Sequence, residues 1–323
     1  MKIVFHGENA RSFRAGIEAH LDGGHEIVDL SDALATEAER ERFRTAEVIV
    51  GIRLTSSMPR PERLRLYQAP AAGVDQIDRS ALPPGCALCN AFGHEDAIAE
   101  YVMTALLLRH APLPDADARL RRGDWRYWAG RPTGLRTELG GSAVGLLGYG
   151  HIGKAIAARA KAFGMRVTVA NRTQVAAGPT VDESYGLDDL DAFMGSADAI
   201  VVSLPHTPAT TGLVGTRELA AMRPHGVILN VGRGPVIDEQ ALFDALKSGA
   251  IGGAVIDTWY RYPDARDQHP MPGSLPFETL PNLVMTPHMS GWTEGTIRRR
   301  MQTIAENVGR LSRGQDLVNL VPT

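Results

Sequence analysis

Cysteine is nearly absent. The 323 residues hold two, Cys86 and Cys89, which excludes the disulfide framework of small secreted domains. The pair forms a CxxC, but within GCALCN, a run that reads as a short strand. Side chains three apart on a strand point to opposite faces, so the thiols are expected to diverge and to behave as small buried apolar groups. Long apolar runs are also missing. The longest, Ile98 to Leu108, is interrupted by Glu100, Tyr101 and Thr104 and falls short of the ~18 residues that argue for a membrane span. The opening MKIVFHGEN carries neither an apolar signal core nor a cleavage site, so a cytoplasmic location is expected. Positive charge is not in excess: 34 Lys and Arg face 37 Asp and Glu. The basic cluster Arg298 to Arg300 reads as a solvated helix face. Neither nucleic acid nor a membrane is an expected partner.

What remains is a globular composition, 44% hydrophobic and 22% charged, at a length that suits two α/β domains. The first ninety residues alternate. Strands are expected at Lys2 to Phe5, His25 to Leu30, Glu47 to Ile52, Leu64 to Ala69 and Cys86 to Asn90, and helices at Arg11 to Leu21 and Ala35 to Phe43. A helix from Glu95 to His110 follows, then a loop from Pro112 to Gly141 rich in Pro, Arg and Trp. A cleaner alternation begins at residue 143, with strands AVGLLG, MRVTVA, AIVVSL, GVILNV, GGAVIDT and Leu283 to Thr286 separated by helices. The amphipathic helix from Thr293 to Leu311 is expected to return to the first domain. This rhythm argues for parallel sheets wrapped by helices.

The sharpest local signal is Gly148-Tyr149-Gly150-His151-Ile152-Gly153. It follows an apolar strand, opens a helix, and precedes a second strand that ends 17 residues after its last glycine, which is the setting of a dinucleotide fingerprint. Gly148 allows the tight turn, Gly150 lets backbone approach a pyrophosphate, and Gly153 lets helix and strand pack closely. The helix N-terminus offers amides and partial positive charge to the phosphates. The second strand ends in Asn171-Arg172-Thr173. A neutral Asn stands where NAD enzymes commonly place an acid, and the following Arg can grip a 2′-phosphate, so NADP(H) is expected to be preferred over NAD(H). Stacking of Arg172 on an adenine in an NAD enzyme is the competing reading.

Taken in order, AAGVDQID, AIAEYV, ELGGSAVGLLGYGHIG, SLPHTPAT, AAMRPHGVILNVGRGPVIDEQAL, GAVIDTW and VMTPHMSG resemble the D-2-hydroxyacid dehydrogenases, a family that includes glyoxylate/hydroxypyruvate reductases, phosphoglycerate dehydrogenases and formate dehydrogenases. The resemblance covers nearly the whole chain. It implies that Arg233 binds the substrate and that His288 is the general acid/base. A guanidinium suits a 2-oxo acid, because it can hold the carboxylate and polarise the carbonyl. An imidazole can protonate the carbonyl oxygen as hydride arrives. It further implies that Asp257 bonds the nicotinamide carboxamide, and that Ala72, Gly73 and Val74 hold the substrate carboxylate from the other domain, with Asn90 lining the cleft or bracing the hinge. Leu204, Pro205, Thr210, Val231, Gly232 and Gly291 complete the implied cofactor contacts. No metal is implied. The segment from Arg121 to Gly140, with Trp125 and Trp128, corresponds to a dimer arm, so a homodimer is expected.

One position departs from the family. Its His-Glu members carry Glu five residues after the aspartate, and here that residue is Tyr262. Tyr hydrogen-bonds but is neutral at pH 7. Reduction is therefore expected to decline with pH earlier than in Glu-bearing relatives, unless Asp264, Asp267 or Glu278 folds back to replace the Glu. DTW and His288-Met289-Ser290-Gly291 also resemble formate dehydrogenase runs, so a formate or other small-anion dehydrogenase is an alternative, as is a non-catalytic nucleotide-sensing protein. The leading expectation is an α/β enzyme of two doubly wound parallel-sheet domains. A Rossmann NAD(P) domain (95–289) is inserted into a flavodoxin-like substrate domain (1–94 and 290–323). It would act on a small 2-oxo or 2-hydroxy acid such as glyoxylate or hydroxypyruvate.

Overall fold

The computed structural model describes residues 1–264 and 266–322. Two compact units divide the chain, Met1–His94 with Trp292–Thr323, and Glu95–Gly291. Thr323, the last residue of the expected substrate domain, lies outside the described residues.

In the first unit, β1 (Lys2–His6), β2 (Glu26–Leu30), β3 (Val48–Val50), β4 (Leu66–Gln68) and β5 (Ala87–Cys89) form one parallel sheet in the order β2-β1-β3-β4-β5. This is the flavodoxin-like doubly wound order. Side-chain alternation along β1 explains its two covered faces. Ile3 and Phe5 pack with Phe13, Ile17, Met301, Ile304 and Val308. Val4 faces the other way, with Phe43, Ile49 and Tyr67. The two thiols divide in the same manner: Cys89 belongs to the first core and Cys86 packs on the second. Burial pushes the Cys86 thiol up to about 12 and the Cys89 thiol up to about 11, so neither is a ready thiolate.

The helix expected from Arg11 to Leu21 is not continuous. A short helix α1 (Gly7–Arg11) gives way to turns and a 3-10 segment, Ile17–His20. Gly16 between them has φ +80°, a left-handed conformation that ends a right-handed helix. Ala10, Phe13 and Ile17 still reach one core, which is why their spacing looked helical. Helix α2 (Glu37–Arg44) starts with a full capping box between Thr36 and Glu39, as its sequence dictates.

In the second unit, α3 (Glu95–His110), α4 (Leu113–Leu120) and α5 (His151–Ala162) accompany a parallel sheet that begins with β6 (Ala143–Leu147) and β7 (Arg166–Ala170). It continues with β8 (Glu183–Tyr185), β9 (Ala199–Val202), β10 (Val227–Asn230), β11 (Gly253–Ile256) and β12 (Leu283–Met285). Helices α6 (Leu190–Gly195), α7 (Thr216–Ala220) and α8 (Glu239–Ser248) connect the later strands. The order is β12-β11-β10-β9-β6-β7-β8. Counted from β6 this is the Rossmann order with a seventh strand, and its switch point lies between β6 and β9. Two elements went unread in the sequence. The short, half-exposed β8 has no apolar pattern. The expected loop from Pro112 to Gly141 begins with α4, whose Pro in the first turn and Asp115–Arg119 pair are helix-start and helix-stop features.

The last helix, α9 (Glu294–Ser312), belongs to the first unit. Arg298 is exposed, as a solvated face requires, but Arg299 and Arg300 correct that reading. Arg300 is buried and donates from Nε to the Phe92 carbonyl at 3.3 Å, and Arg299 Nε donates to the Gly93 carbonyl at 2.7 Å. Among the described residues, no helix is long and apolar enough to cross a membrane.

Candidate active site

The glycine fingerprint sits between β6 and α5, beside the switch point of the second sheet. Gly148 has φ +102°, and a Cβ there would lie 3.0 Å from Leu204 Cδ2 and 3.1 Å from Ser203 Oγ. A Cβ on Gly153 would sit 2.4 Å from the Gly148 carbonyl oxygen, so helix and turn touch through bare backbone. Gly150 is different. It is exposed, and among the described residues a Cβ there would meet no atom beyond its chain neighbours within 4 Å. It is also the N-cap of α5 and no side chain caps the helix there, so the turn presents backbone to open space at a positive helix end.

The neighbouring strand end braces this turn. Asn171 accepts from the Tyr149 amide at 3.3 Å through Oδ1 and donates to the Thr173 carbonyl at 2.9 Å through Nδ2. Tyr149 continues the brace through its hydroxyl, 3.0 Å from Thr180 Oγ1. Arg172 and Thr173 are exposed beside it, His151 is exposed on α5, and Ile152 is half-buried. After β9, Leu204 backs Gly148, and the Pro205 carbonyl accepts from Thr210 Oγ1 at 2.7 Å, which closes the turn. Val231 is buried, and its amide donates to Val202. A Cβ on Gly232 would lie 2.5 Å from the Leu204 carbonyl oxygen.

Arg233 leaves the end of β10 from a turn fixed by Asn230. That buried side chain accepts from the Gly232 amide at 3.1 Å and donates to the Arg233 carbonyl at 3.0 Å. The Arg233 guanidinium also donates to the Gly232 carbonyl at 2.9 Å. Sequence reasoning missed Asn230, although a polar residue closing the apolar run GVILN was the available signal.

Asp257, at the end of β11, is 0% exposed. Its Oδ1 accepts from Thr286 Oγ1 at 2.6 Å and from the Met289 amide at 2.9 Å, and its Oδ2 accepts from the Ser290 amide at 2.9 Å. The carboxylate therefore shapes the segment that carries His288, a role its spacing did not reveal. His288 is exposed and has φ +57°. A residue with a Cβ pays about 1–2 kcal/mol for that conformation, which the bonds on either side of it offset. Gly291 follows, half-buried.

Tyr262 does lie against His288. The ring centroids are 5.5 Å apart and the planes are tilted by 52°. Its hydroxyl accepts from the Trp259 amide at 3.0 Å. Although 45% of the residue is exposed, its hydroxyl is partly withdrawn from solvent. Burial, chiefly, raises the phenol pKa; the Trp259 amide and Arg233 charge lower it, and Asp257 raises it. Arg233, Asp257, Tyr262 and His288 are thus neighbours in one unit. Of the acids expected as possible replacements, Asp264 and Asp267 are engaged in turns of their own. Asp264 accepts from the Arg266 and Asp267 amides of its own turn, which holds its carboxyl below the usual range. Asp267 accepts from the His269 amide, and Glu278 is exposed on a 3-10 turn.

In the first unit, Ala72, Gly73 and Val74 form a half-buried loop after β4. Asn90 Nδ2 donates to the Ala72 carbonyl at 2.8 Å, and the Ile77 amide donates to Val74.

The profile of the D-isomer specific 2-hydroxyacid dehydrogenase NAD binding domain matches residues 103–290, more than half of the chain. The chain belongs to the D-isomer specific 2-hydroxyacid dehydrogenase family. It is 32% identical over 91% of its length to a D-3-phosphoglycerate dehydrogenase of Methanocaldococcus jannaschii, and spans 55% of that relative. A D-isomer specific 2-hydroxyacid dehydrogenase family protein of Aeromonas salmonicida shares its structure with a TM-score of 0.82, at 26% identity, over 99% of this chain and 98% of that one. An NADPH-dependent glyoxylate/hydroxypyruvate reductase of Sinorhizobium meliloti, solved with citrate, gives 0.78 at 25% identity, over 99% and 97%.

As a member of this 2-hydroxyacid dehydrogenase family, the chain is an NAD(P)-dependent oxidoreductase. The open space over Gly150 and the uncapped start of α5 suit the diphosphate of its nicotinamide cofactor.

Proposed function

We propose that this dehydrogenase reduces small 2-oxo acids, of the size of glyoxylate or hydroxypyruvate, with NADPH. The observation that carries the reading is that Arg233, on its Asn230-braced turn, and His288, held in a strained backbone conformation by its neighbours, both stand near Tyr262. The reduced nicotinamide, when bound, supplies hydride to the carbonyl carbon. Arg233 holds the acid's carboxylate and draws electron density towards the carbonyl oxygen. His288 gives that oxygen a proton, so that carbonyl and hydride become an alcohol without a free alkoxide.

NADPH preference is supported by Arg172, an exposed guanidinium at the end of β7 with no carboxylate in the Asn171 position. A homodimer is supported by the exposed apolar side chains Leu113, Leu120, Trp125, Trp128 and Leu135 along one stretch, since a second copy of this chain would cover them. Light scattering tests it, and a monomer at micromolar concentration overturns it. Two unpaired cysteines suit a reducing, cytoplasmic setting.

A panel of 2-oxo acids, with formate as the reverse-direction control, tests the activity by absorbance of the reduced nicotinamide. Turnover of glyoxylate or hydroxypyruvate is expected, with a loss on the order of 10²–10⁴ in kcat for His288→Asn. Oxidation of formate with no reduction of any 2-oxo acid overturns the reading.

A further inference from the structure

Thr286 is fixed from four directions within the dinucleotide-binding unit. Its amide donates to the Ile256 carbonyl at 3.0 Å, and its own carbonyl accepts from Trp259 Nε1 at 2.8 Å. Its hydroxyl lies between Asp257 Oδ1, at 2.6 Å, and the Tyr101 hydroxyl, at 2.7 Å. Donor arithmetic settles the direction of this chain. A carboxylate only accepts, so the single Thr286 hydroxyl hydrogen goes to Asp257. The Thr286 oxygen is then the acceptor and the Tyr101 phenol the donor. Burial raises the Tyr101 pKa, which keeps the phenol protonated as that direction requires.

The far end of the chain is the backbone of the catalytic segment. Asp257 takes the Met289 and Ser290 amides, at 2.9 Å each. Between those anchors and Thr286 stand only Pro287, which has no amide hydrogen, and His288 at φ +57°. A histidine keeps that conformation only where both flanks are held. We propose that Tyr101, on α3, is a positioning residue for His288. Its phenol satisfies the Thr286 oxygen, strengthens the Thr286–Asp257 bond by polarising it, and so holds residues 286–290 in the shape that presents the imidazole. The inference rests on His288 as the proton donor.

Tyr101→Phe removes one hydroxyl and little else. With glyoxylate and NADPH, kcat is expected to fall about five- to tenfold, the effect of one lost hydrogen bond, while KM and the NADPH Kd stay within about twofold. Exchange of the Met289 and Ser290 amides is expected to speed up by a similar factor. In a Thr286→Val background the same change should cost nothing further, because the acceptor has gone. Thr286→Ser should keep near-normal turnover. An unchanged kcat in Tyr101→Phe overturns the proposal, as does an equal loss in both backgrounds, or a loss matched by weaker NADPH binding. If no 2-oxo acid is turned over by the unaltered enzyme, the reading of His288 falls. Amide exchange then decides on Tyr101 alone: faster exchange in Tyr101→Phe supports the chain and unchanged exchange overturns it.

Discussion

Asn307 on α9 donates to Gln68 Oε1 at the end of β4, 2.7 Å away, and both residues are 0% exposed. The same amide of Asn307 donates to the Val318 carbonyl at 3.0 Å, and its Oδ1 accepts from the Val318 amide at 2.9 Å. Gln68 in turn donates to the carbonyls of Ala69 and Asn90, at 3.2 and 3.1 Å. The pair therefore ties the C-terminal helix and tail to the strand end that feeds the Ala72 to Val74 loop. Each buried group left unpaired costs about 1–3 kcal/mol. Asn307→Leu is expected to lower the unfolding free energy by about 2–4 kcal/mol. Urea denaturation measures it, and a change under about 0.5 kcal/mol, the size of an ordinary surface substitution, would show the network to be dispensable.

Two of the fingerprint glycines, Gly153 and Gly150, are expected to respond differently to alanine. At Gly153 the new methyl meets the Gly148 carbonyl oxygen at 2.4 Å, so both stability and cofactor affinity should drop. At Gly150 it meets no atom of the described residues within 4 Å, its chain neighbours aside. Gly150→Ala should therefore melt like the parent and still bind NADPH at least about tenfold more weakly, because the methyl enters the space a diphosphate needs. Thermal melts and fluorescence titration separate the two effects. A Gly150→Ala protein with unchanged affinity would place the diphosphate elsewhere.

Arg172 is expected to carry the choice between the two cofactors. Asn171 is already committed to Tyr149 and Thr173, so its part is to brace the turn and to withhold a negative charge. Arg172→Ala should raise the Kd for NADPH by about one to two decades and leave that for NADH nearly unchanged, as expected for losing a charge-assisted contact of about 1.5–3 kcal/mol. Equal weakening of both cofactors would make Arg172 an adenine-stacking residue instead.

Sequence patterns identified the elements that bury apolar side chains on a regular period. The helix Glu95–His110 and every strand of at least four residues were legible for that reason. The strand Glu183–Tyr185 was not, because it is short and half-exposed. Nor was the break at Gly16, since spacing along a chain does not report φ. At the candidate site, the motifs pointed to Arg233, His288 and the glycines. The bracing residues Asn230, Tyr101 and Thr286 stayed hidden. Asn230 braces its own turn, two and three residues on, and its polar character at the end of an apolar run was the one signal, whereas the roles of Tyr101 and Thr286 depend on hydrogen bonds between elements far apart in sequence. The Arg298 to Arg300 run misled because carbonyl acceptors on a loop near residue 92 make a buried guanidinium affordable.

Tyr262 offers the most direct test of the acid/base assignment. Under the proposed assignment, reduction takes a proton from His288, so the rate falls as pH rises through the imidazole pKa. The Tyr262 ring lies 5.5 Å from that imidazole. A carboxylate placed there favours the charged imidazole and raises its pKa. Tyr262→Glu is therefore expected to shift the fall in reduction rate to higher pH, by on the order of one unit. The reverse reaction needs the neutral imidazole, so its rise with pH should move upward by the same amount. Tyr262→Phe supplies the control. It keeps the ring and removes the acceptor for the Trp259 amide without adding charge, so its profile should keep the parent's midpoint. The chemical step must be followed, by single-turnover measurement with deuterated NADPH, so that product release does not mask the titration. If the Tyr262→Glu profile coincides with that of the parent while folding and NADPH affinity are intact, the residue at 262 does not tune the proton donor. A second possibility is that His288 is not the group that titrates; His288→Asn distinguishes them, since it should abolish the pH-dependent limb only if His288 is the donor.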